Sequence, residues 1–163
     1  MPDAPQLLLN GVPMVPDAPP ATTLLDWLRG QAGRRGTKEG CAEGDCGACT
    51  VVLERSTAAG PRTEAVNACM LLLGQLDGLS VRTVEGLAAP DGTLHPVQAA
   101  YVACGGTQCG FCTPGFVMAS YAHLATDPGA TGEDAIHDAL AGNLCRCTGY
   151  RSIVAAVAQA ARG

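Results

Sequence analysis

Eight of the nine cysteines in this 163-residue chain fall into two spaced sets, and any fold must gather each set. Cys41, Cys46 and Cys49 stand at C-x4-C-x2-C, and Cys69 follows after nineteen residues. Cys109 and Cys112 form a C-x2-C pair, Cys145 and Cys147 a C-x-C pair, with thirty-two residues between the pairs. Thiols gathered in fours serve disulfides, redox chemistry or metal, and the compartment helps to separate these. Met1 to Asn10 has no charged n-region and no long apolar run, so no secretory leader is expected. Apolar runs elsewhere are only a few residues long, against the roughly 20 of a membrane helix. These features point to the cytoplasm, where thiols stay reduced and cysteine clusters read as metal sites. Nine is also an odd count for a disulfide framework.

The first set has the spacing that holds one [2Fe–2S] cluster in plant-type ferredoxins. Each ferric iron takes four sulfurs in a tetrahedron, two of them bridging sulfides. Three thiolates must therefore converge from one tight loop, with the fourth arriving from elsewhere. Gly40, Gly44 and Gly47 are expected to let that loop curl through positive φ. Bare backbone there can aim N–H groups at the sulfurs, which tunes the potential. Glu43 and Asp45 share the loop, and their charge close to a cluster would disfavour an added electron.

The second set is expected to join two helix ends into one four-thiolate site of Cys109, Cys112, Cys145 and Cys147. Gly105, Gly106, Gly110 and Gly115 loosen the backbone around it. Structural zinc competes here, because four-cysteine zinc sites also use C-x2-C knuckles. The leftover Cys104 falls on an apolar helical face and reads as a buried structural thiol. His95, His123 and His137 are scattered and read as surface or packing residues; the cysteine count leaves no place for a Rieske histidine pair. There is no G-x-G-x-x-G, P-loop or nucleophile elbow, so no catalytic residue is assigned.

The first half reads as mixed strand and helix. Gln6–Leu9 and Val12–Val15 flank Asn10-Gly11, a hairpin turn signal. Thr23 is a candidate N-cap, with Asp26 completing a capping-box pattern, for a helix through Leu24, Leu25 and Leu28 that Gly30 stops. From Gly36 to Ala48 four glycines in thirteen residues mark a loop. Thr50–Leu53, Glu64–Ala68 and Leu79–Val84 are strand candidates, giving a small β-grasp-like sheet. The second half reads as four short helices, opened by His95-Pro96, Thr113-Pro114, a Thr131/Asp134 capping box and Thr148. The expected fold is α+β: a plant-type ferredoxin-like β-grasp domain over 1–84, then an all-α four-helix domain over 85–163, each with one [2Fe–2S] cluster.

Composition narrows the functions. At 47% hydrophobic residues the chain is not a solvated, disordered one, yet only 4% are aromatic. Small cores of that kind benefit from metal staples. A net charge of −5 argues against nucleic acid, and the basic cluster Arg34, Arg35 and Lys38 reads as a solvated turn.

Four stretches carry a resemblance to a known family. They are the run 36–52, which spells GTKEGCAEGDCGACTVV; Val66-Asn-Ala-Cys69; Gln108-Cys-Gly-Phe-Cys-Thr-Pro-Gly115; and Asn143-Leu-Cys-Arg-Cys-Thr-Gly-Tyr150. They resemble the iron–sulfur part of xanthine dehydrogenases, in the wider xanthine oxidase family of molybdenum hydroxylases. The resemblance implies a relay in which electrons leave a molybdopterin centre through both clusters to FAD. It implies that Cys109, Cys112, Cys145 and Cys147 hold the molybdenum-side cluster, and that Cys41, Cys46, Cys49 and Cys69 hold the flavin-side one. Gln108 and Cys147 match positions that touch the pterin in relatives. With no room here for a flavin or molybdenum domain, the chain is similar to the small subunit of a split enzyme. Its expected partners are a molybdopterin-binding large subunit and an FAD-binding medium subunit. A piece of a longer chain is the other reading. Glu43-Gly-Asp-Cys46 leans toward xanthine or a related purine, with aldehydes, N-heterocycles and carbon monoxide open. A free-standing ferredoxin-like carrier is the rival function; the second cluster domain speaks against it.

Overall fold

The computed structural model describes residues 5–58 and 60–162. Residues 1–4, where the stretch expected to lack a leader begins, lie outside them. Five strands form one sheet: β1 (Leu7–Leu9), β2 (Val12–Met14), β3 (Thr50–Thr57), β4 (Gly60–Asn67) and β5 (Ser80–Arg82). Their order is β2-β1-β5-β3-β4, with β1 parallel to β5 and all other pairs antiparallel. The Asn10-Gly11 turn joins β1 to β2 with both residues at positive φ, as a tight hairpin of matching twist requires.

Helix α1 (Leu24–Arg29) lies on one face of the sheet. Its Leu24, Leu25, Trp27 and Leu28 share a core with Leu7, Leu9, Val51, Leu53 and Val81. Thr23 does cap α1, its Oγ1 accepting from the Asp26 N–H at 3.1 Å. The reciprocal bond differs from the expected box: the Thr23 hydroxyl donates to the Asp26 carboxylate at 2.7 Å.

Helices α2 (Pro96–Ala103), α3 (Thr113–Thr126), α4 (Glu133–Leu140) and α5 (Arg151–Ala160) follow the sheet. Helix α3 is buried along most of its length and packs against β3 and β4 as well as α2 and α4. Strand β3 serves both cores. Val51 and Leu53 point to the α1 side, while Val52 between them joins the helical core with Tyr101, Phe116, Met118 and Ile153. That split follows from the two-residue period of a strand. An ion-paired cluster on β5 and β3 ties the sheet to α3. Arg82 donates twice to Glu54, at 2.7 and 3.1 Å, and its guanidinium lies 5.9 Å from the Tyr121 ring centre. The Tyr121 hydroxyl donates to Glu54 at 3.4 Å.

Two helix starts depart from expectation. Gly132, not Thr131, is the N-cap of α4, which relies on Glu133 and Asp134 in its first turn. Tyr150, not Thr148, precedes α5, and it does so in the left-handed region at φ +67°. Cys104 is also corrected. It is the C-cap of α2, only half-buried, and its thiol donates to Gln159 Oε1 at 3.0 Å. The histidines hold packing roles. His95 caps α2 by accepting from the Val97 N–H, His123 bonds the Ala130 carbonyl, and His137 lies 3.7 Å from Glu133.

Candidate metal centres

The loop between α1 and β3 carries three cysteines, and the turn after β4 carries the fourth. Cys49 and Cys69 are buried with sulfurs 3.4 Å apart. Cys41 receives the Cys46 N–H at 3.3 Å. Backbone N–H groups of Glu43, Cys46 and Asp45 turn toward the Cys41 sulfur and pull its thiol down to about 7. Burial pushes the Cys49 thiol up to about 11. Cys41 is therefore already disposed to thiolate, whereas buried Cys49 needs a metal's charge to ionise. Gly44 and Gly47 adopt positive φ as expected, but Gly40 does not. Gly40 provides room instead: a Cβ there would stand 2.8 Å from the Cys46 sulfur.

The second set gathers as two pairs from the ends of α3 and α4. The Cys109 and Cys147 sulfurs lie 3.6 Å apart at the surface. Cys112 and Cys145 pair deeper, close enough for their thiols to hydrogen-bond. Burial pushes Cys112 up to about 12. Burial also raises Cys145, but the Thr148 hydroxyl donating to its sulfur at 3.2 Å, with backbone N–H groups of Thr148 and Cys147, brings it down to about 7. Thr148 thus serves the sulfur rather than a helix end, and its oxygen accepts the Tyr150 N–H at 3.1 Å. The Tyr150 hydroxyl accepts from the Cys145 N–H at 2.8 Å. Gln108 is exposed beside Cys109.

The two loops touch. Leu144, next to Cys145, donates its N–H to the Cys46 carbonyl at 3.0 Å. The Asn143 side-chain amide donates to the Gly47 carbonyl at 2.9 Å and to Thr50 Oγ1 at 3.1 Å. A Cβ at Gly115 would collide with the Gly47 carbonyl, and one at Gly47 with the Gly142 carbonyl. Asn67 holds the other side of the first loop, donating to the Gly44 carbonyl at 2.8 Å. Sequence reading passed over these two asparagines as site residues. The available signal was their spacing, since each stands two residues before a cysteine, in Asn67-Ala-Cys69 and Asn143-Leu-Cys145.

These sulfur pairs suit a two-iron cluster. Two thiolates on one tetrahedral metal with bonds of about 2.3 Å stand roughly 3.7 Å apart. The 3.4 and 3.6 Å pairs are close to that spacing. Among the described residues no three His, Cys, Asp or Glu side chains converge on a point for a single ion. A lone zinc needs four donors about one centre, whereas sulfide-bridged irons need protein thiolates only in twos.

Two family models match the chain. Residues 8–73 fit a 2Fe-2S iron-sulfur cluster binding domain, and residues 83–158 a [2Fe-2S] binding domain. Rice (Oryza sativa subsp. japonica) xanthine dehydrogenase is 48% identical over 149 residues, 90% of this chain and 11% of that protein. Aldehyde oxidase 2 of Cavia porcellus is 50% identical over 140 residues, 85% of this chain and 10% of that protein. The chain thus spans about a tenth of the length of these curated relatives. The crystal structure of quinoline 2-oxidoreductase from Pseudomonas putida 86 contains a chain with TM-score 0.82 and 37% identity, the match covering 98% of this chain and 95% of that one. Sheet, helices and paired thiols together define an iron–sulfur protein with two [2Fe–2S] domains. The chain belongs to the xanthine dehydrogenase and aldehyde oxidase family of molybdenum hydroxylases, as its iron–sulfur part.

Proposed function

We propose that this chain relays single electrons from a molybdopterin centre on a large subunit to FAD on a medium subunit. The observation that carries the reading is two cysteine quartets holding close sulfur pairs, Cys49–Cys69 in one and Cys109–Cys147 and Cys112–Cys145 in the other, on loops that touch through the Leu144–Cys46 hydrogen bond. Cys41, Cys46, Cys49 and Cys69 would hold one cluster in a plant-type ferredoxin-like β-grasp domain over residues 1–84. Cys109, Cys112, Cys145 and Cys147 would hold the other in a four-helix domain over 85–163. Each cluster, when bound, accepts and releases one electron; the chain binds it, shields it and donates N–H and O–H groups to its thiolates. The exposure of Gln108 and Cys147 supports their reading as pterin contacts, since a partner can reach them. Met70 beside Cys69, and Phe111 and Leu144 beside the second set, are large apolar side chains left exposed, which suits subunit interfaces.

Xanthine dehydrogenase is the enzyme class we favour from Glu43-Gly-Asp-Cys46. The aldehyde oxidase stands at 50% identity against 48% for the xanthine dehydrogenase, so an aldehyde belongs beside xanthine in the assay. No helix among the described residues is long and apolar enough to cross a membrane. A cytoplasmic site suits the reduced thiols.

Two measurements test the proposal. The loaded chain should hold about four irons and four acid-labile sulfides, two of each per cluster. Purification from the host should bring two larger chains with molybdenum and FAD. Zinc without sulfide would overturn the cluster reading, and a redox-active chain eluting alone would favour a diffusible carrier.

A further inference from the structure

The Asn143 side chain crosses from the second cysteine loop into the first. It is 5% exposed and donates both amide protons, to the Gly47 carbonyl and to Thr50 Oγ1. Thr50 in turn donates to the same Gly47 carbonyl at 2.7 Å. A carbonyl only accepts, so the NH2 face of Asn143 is fixed by its partner. Gly47 lies between Cys46 and Cys49, and Asn143 lies two residues before Cys145. One residue earlier and one later, the same strands of chain meet again, because the Leu144 N–H holds the Cys46 carbonyl. The contact has no slack, since side chains at Gly47 or Gly115 would run into backbone carbonyls across it.

We propose that Asn143 is a positioning residue that sets the distance and orientation between the two clusters. It holds no metal and touches no reacting atom. Its amide fixes the first loop against the second at the place where each loop carries a cysteine. An electron that leaves one cluster enters the other across a gap that this bond holds constant. The inference rests on the two-cluster reading above, and its test separates the two.

The test is electron paramagnetic resonance of the full chain, loaded with iron and sulfide and fully reduced. Each reduced cluster has its own signal, and two reduced clusters at fixed separation split each other's lines. The splitting falls with the cube of their separation. Asn143→Asp puts an oxygen where a donor is needed, and repels the Gly47 carbonyl. It is expected to narrow or abolish the splitting while both signals and the iron content persist. Thr50→Val removes one of the amide's two acceptors and is expected to narrow it partly. Ser120→Ala deletes a buried bond to Tyr101 away from the junction. It is expected to lower the melting temperature with the splitting unchanged, which separates positioning from general stability.

Unchanged splitting in both Asn143→Asp and Thr50→Val would overturn the proposal. Loss of iron from both would overturn it as well, because the contact would then serve assembly rather than spacing. If only Asn143→Asp fails to load, Thr50→Val decides. Failure of the unaltered chain to load two clusters sinks the cluster reading itself.

Discussion

Gly47 and Gly78 share nearly one backbone conformation, with φ of +69° and +72°. Their surroundings differ: nothing lies within 4 Å of a Cβ built at Gly78, whereas one at Gly47 meets Asn143 Nδ2 at 2.5 Å and collides with the Gly142 carbonyl. Alanine at either position adopts the left-handed region at a cost of about 1–2 kcal/mol. Loss of unfolded-chain freedom offsets about 0.4–1 kcal/mol of that. Gly78→Ala should therefore cost about 1 kcal/mol. Gly47→Ala adds overpacking of about 1–3 kcal/mol. It also forfeits the Asn143 bond to the Gly47 carbonyl, about 1 kcal/mol. The total is about 4 kcal/mol, and the difference of about 3 kcal/mol corresponds to roughly 6–12 °C in melting temperature for a chain of this size. Thermal unfolding of the loaded proteins, followed by the single tryptophan Trp27 in the sheet-side core, measures it. Equal destabilisation by the two substitutions would refute the claim that the loops are sterically locked.

Three further outcomes follow from the geometry. His95 is held below its ordinary 6.5 by burial and by the Arg82 charge, so the fold prefers it neutral. Its contribution is complete above pH 6.5 and lost as pH falls through the lowered value, where the ring also stops accepting the Val97 N–H; His95→Asn should flatten that acid limb in a pH series of melting curves. Burial raises the Glu54 carboxyl, but the Arg82 bonds outweigh it and leave it below 4.5. The pair's stabilisation is thus full above pH 4.5 and fades as Glu54 protonates in more acid solution. Glu54→Gln should cost about 1 kcal/mol at pH 7, discounted for partial exposure, and should remove that fading. Asp45→Asn removes an exposed charge from the first loop. At several ångströms in a watery dielectric the effect is about 0.5 kcal/mol, so a reductive titration should show a midpoint raised by about 20 mV.

Much of the site was legible because cysteine spacing is local. C-x4-C-x2-C in a glycine-rich run fixes three thiols on one loop, and the C-x2-C and C-x-C pairs abut helix-opening or helix-closing residues. The hairpin at Asn10-Gly11 and the Pro96 helix start were legible for the same reason. Strand limits were harder. β3 and β4 run through Glu54–Thr57 and Gly60–Thr63, polar stretches outside the strand candidates Thr50–Leu53 and Glu64–Ala68. There Arg55 and Arg62 bracket Glu64, and solvent-facing cross-strand pairs leave no apolar alternation to detect. Thr131 and Thr148 had the right chemistry for caps, but the hydroxyl of Thr148 found a thiol and a different N–H. What joins the halves was illegible. Asn143 meets Gly47 across ninety-six residues, and Val52 turns to a core its neighbours do not share. Such pairings depend on tertiary packing, which no local pattern encodes.

The junction of Gly47 with Gly115 bears on how such a protein can be recombined. Gly115 is small for the sake of the Gly47 carbonyl, and Gly47 for the sake of the Gly142 carbonyl and the Asn143 amide. A chimera that takes residues 1–84 from this chain and its helical half from a relative inherits only one side of the fit. If the incoming half carries alanine in place of Gly115, its methyl group runs into the Gly47 carbonyl and wedges the two loops apart. Hybrid redox chains of this kind should therefore be screened first at two glycines and an asparagine, ahead of any cysteine.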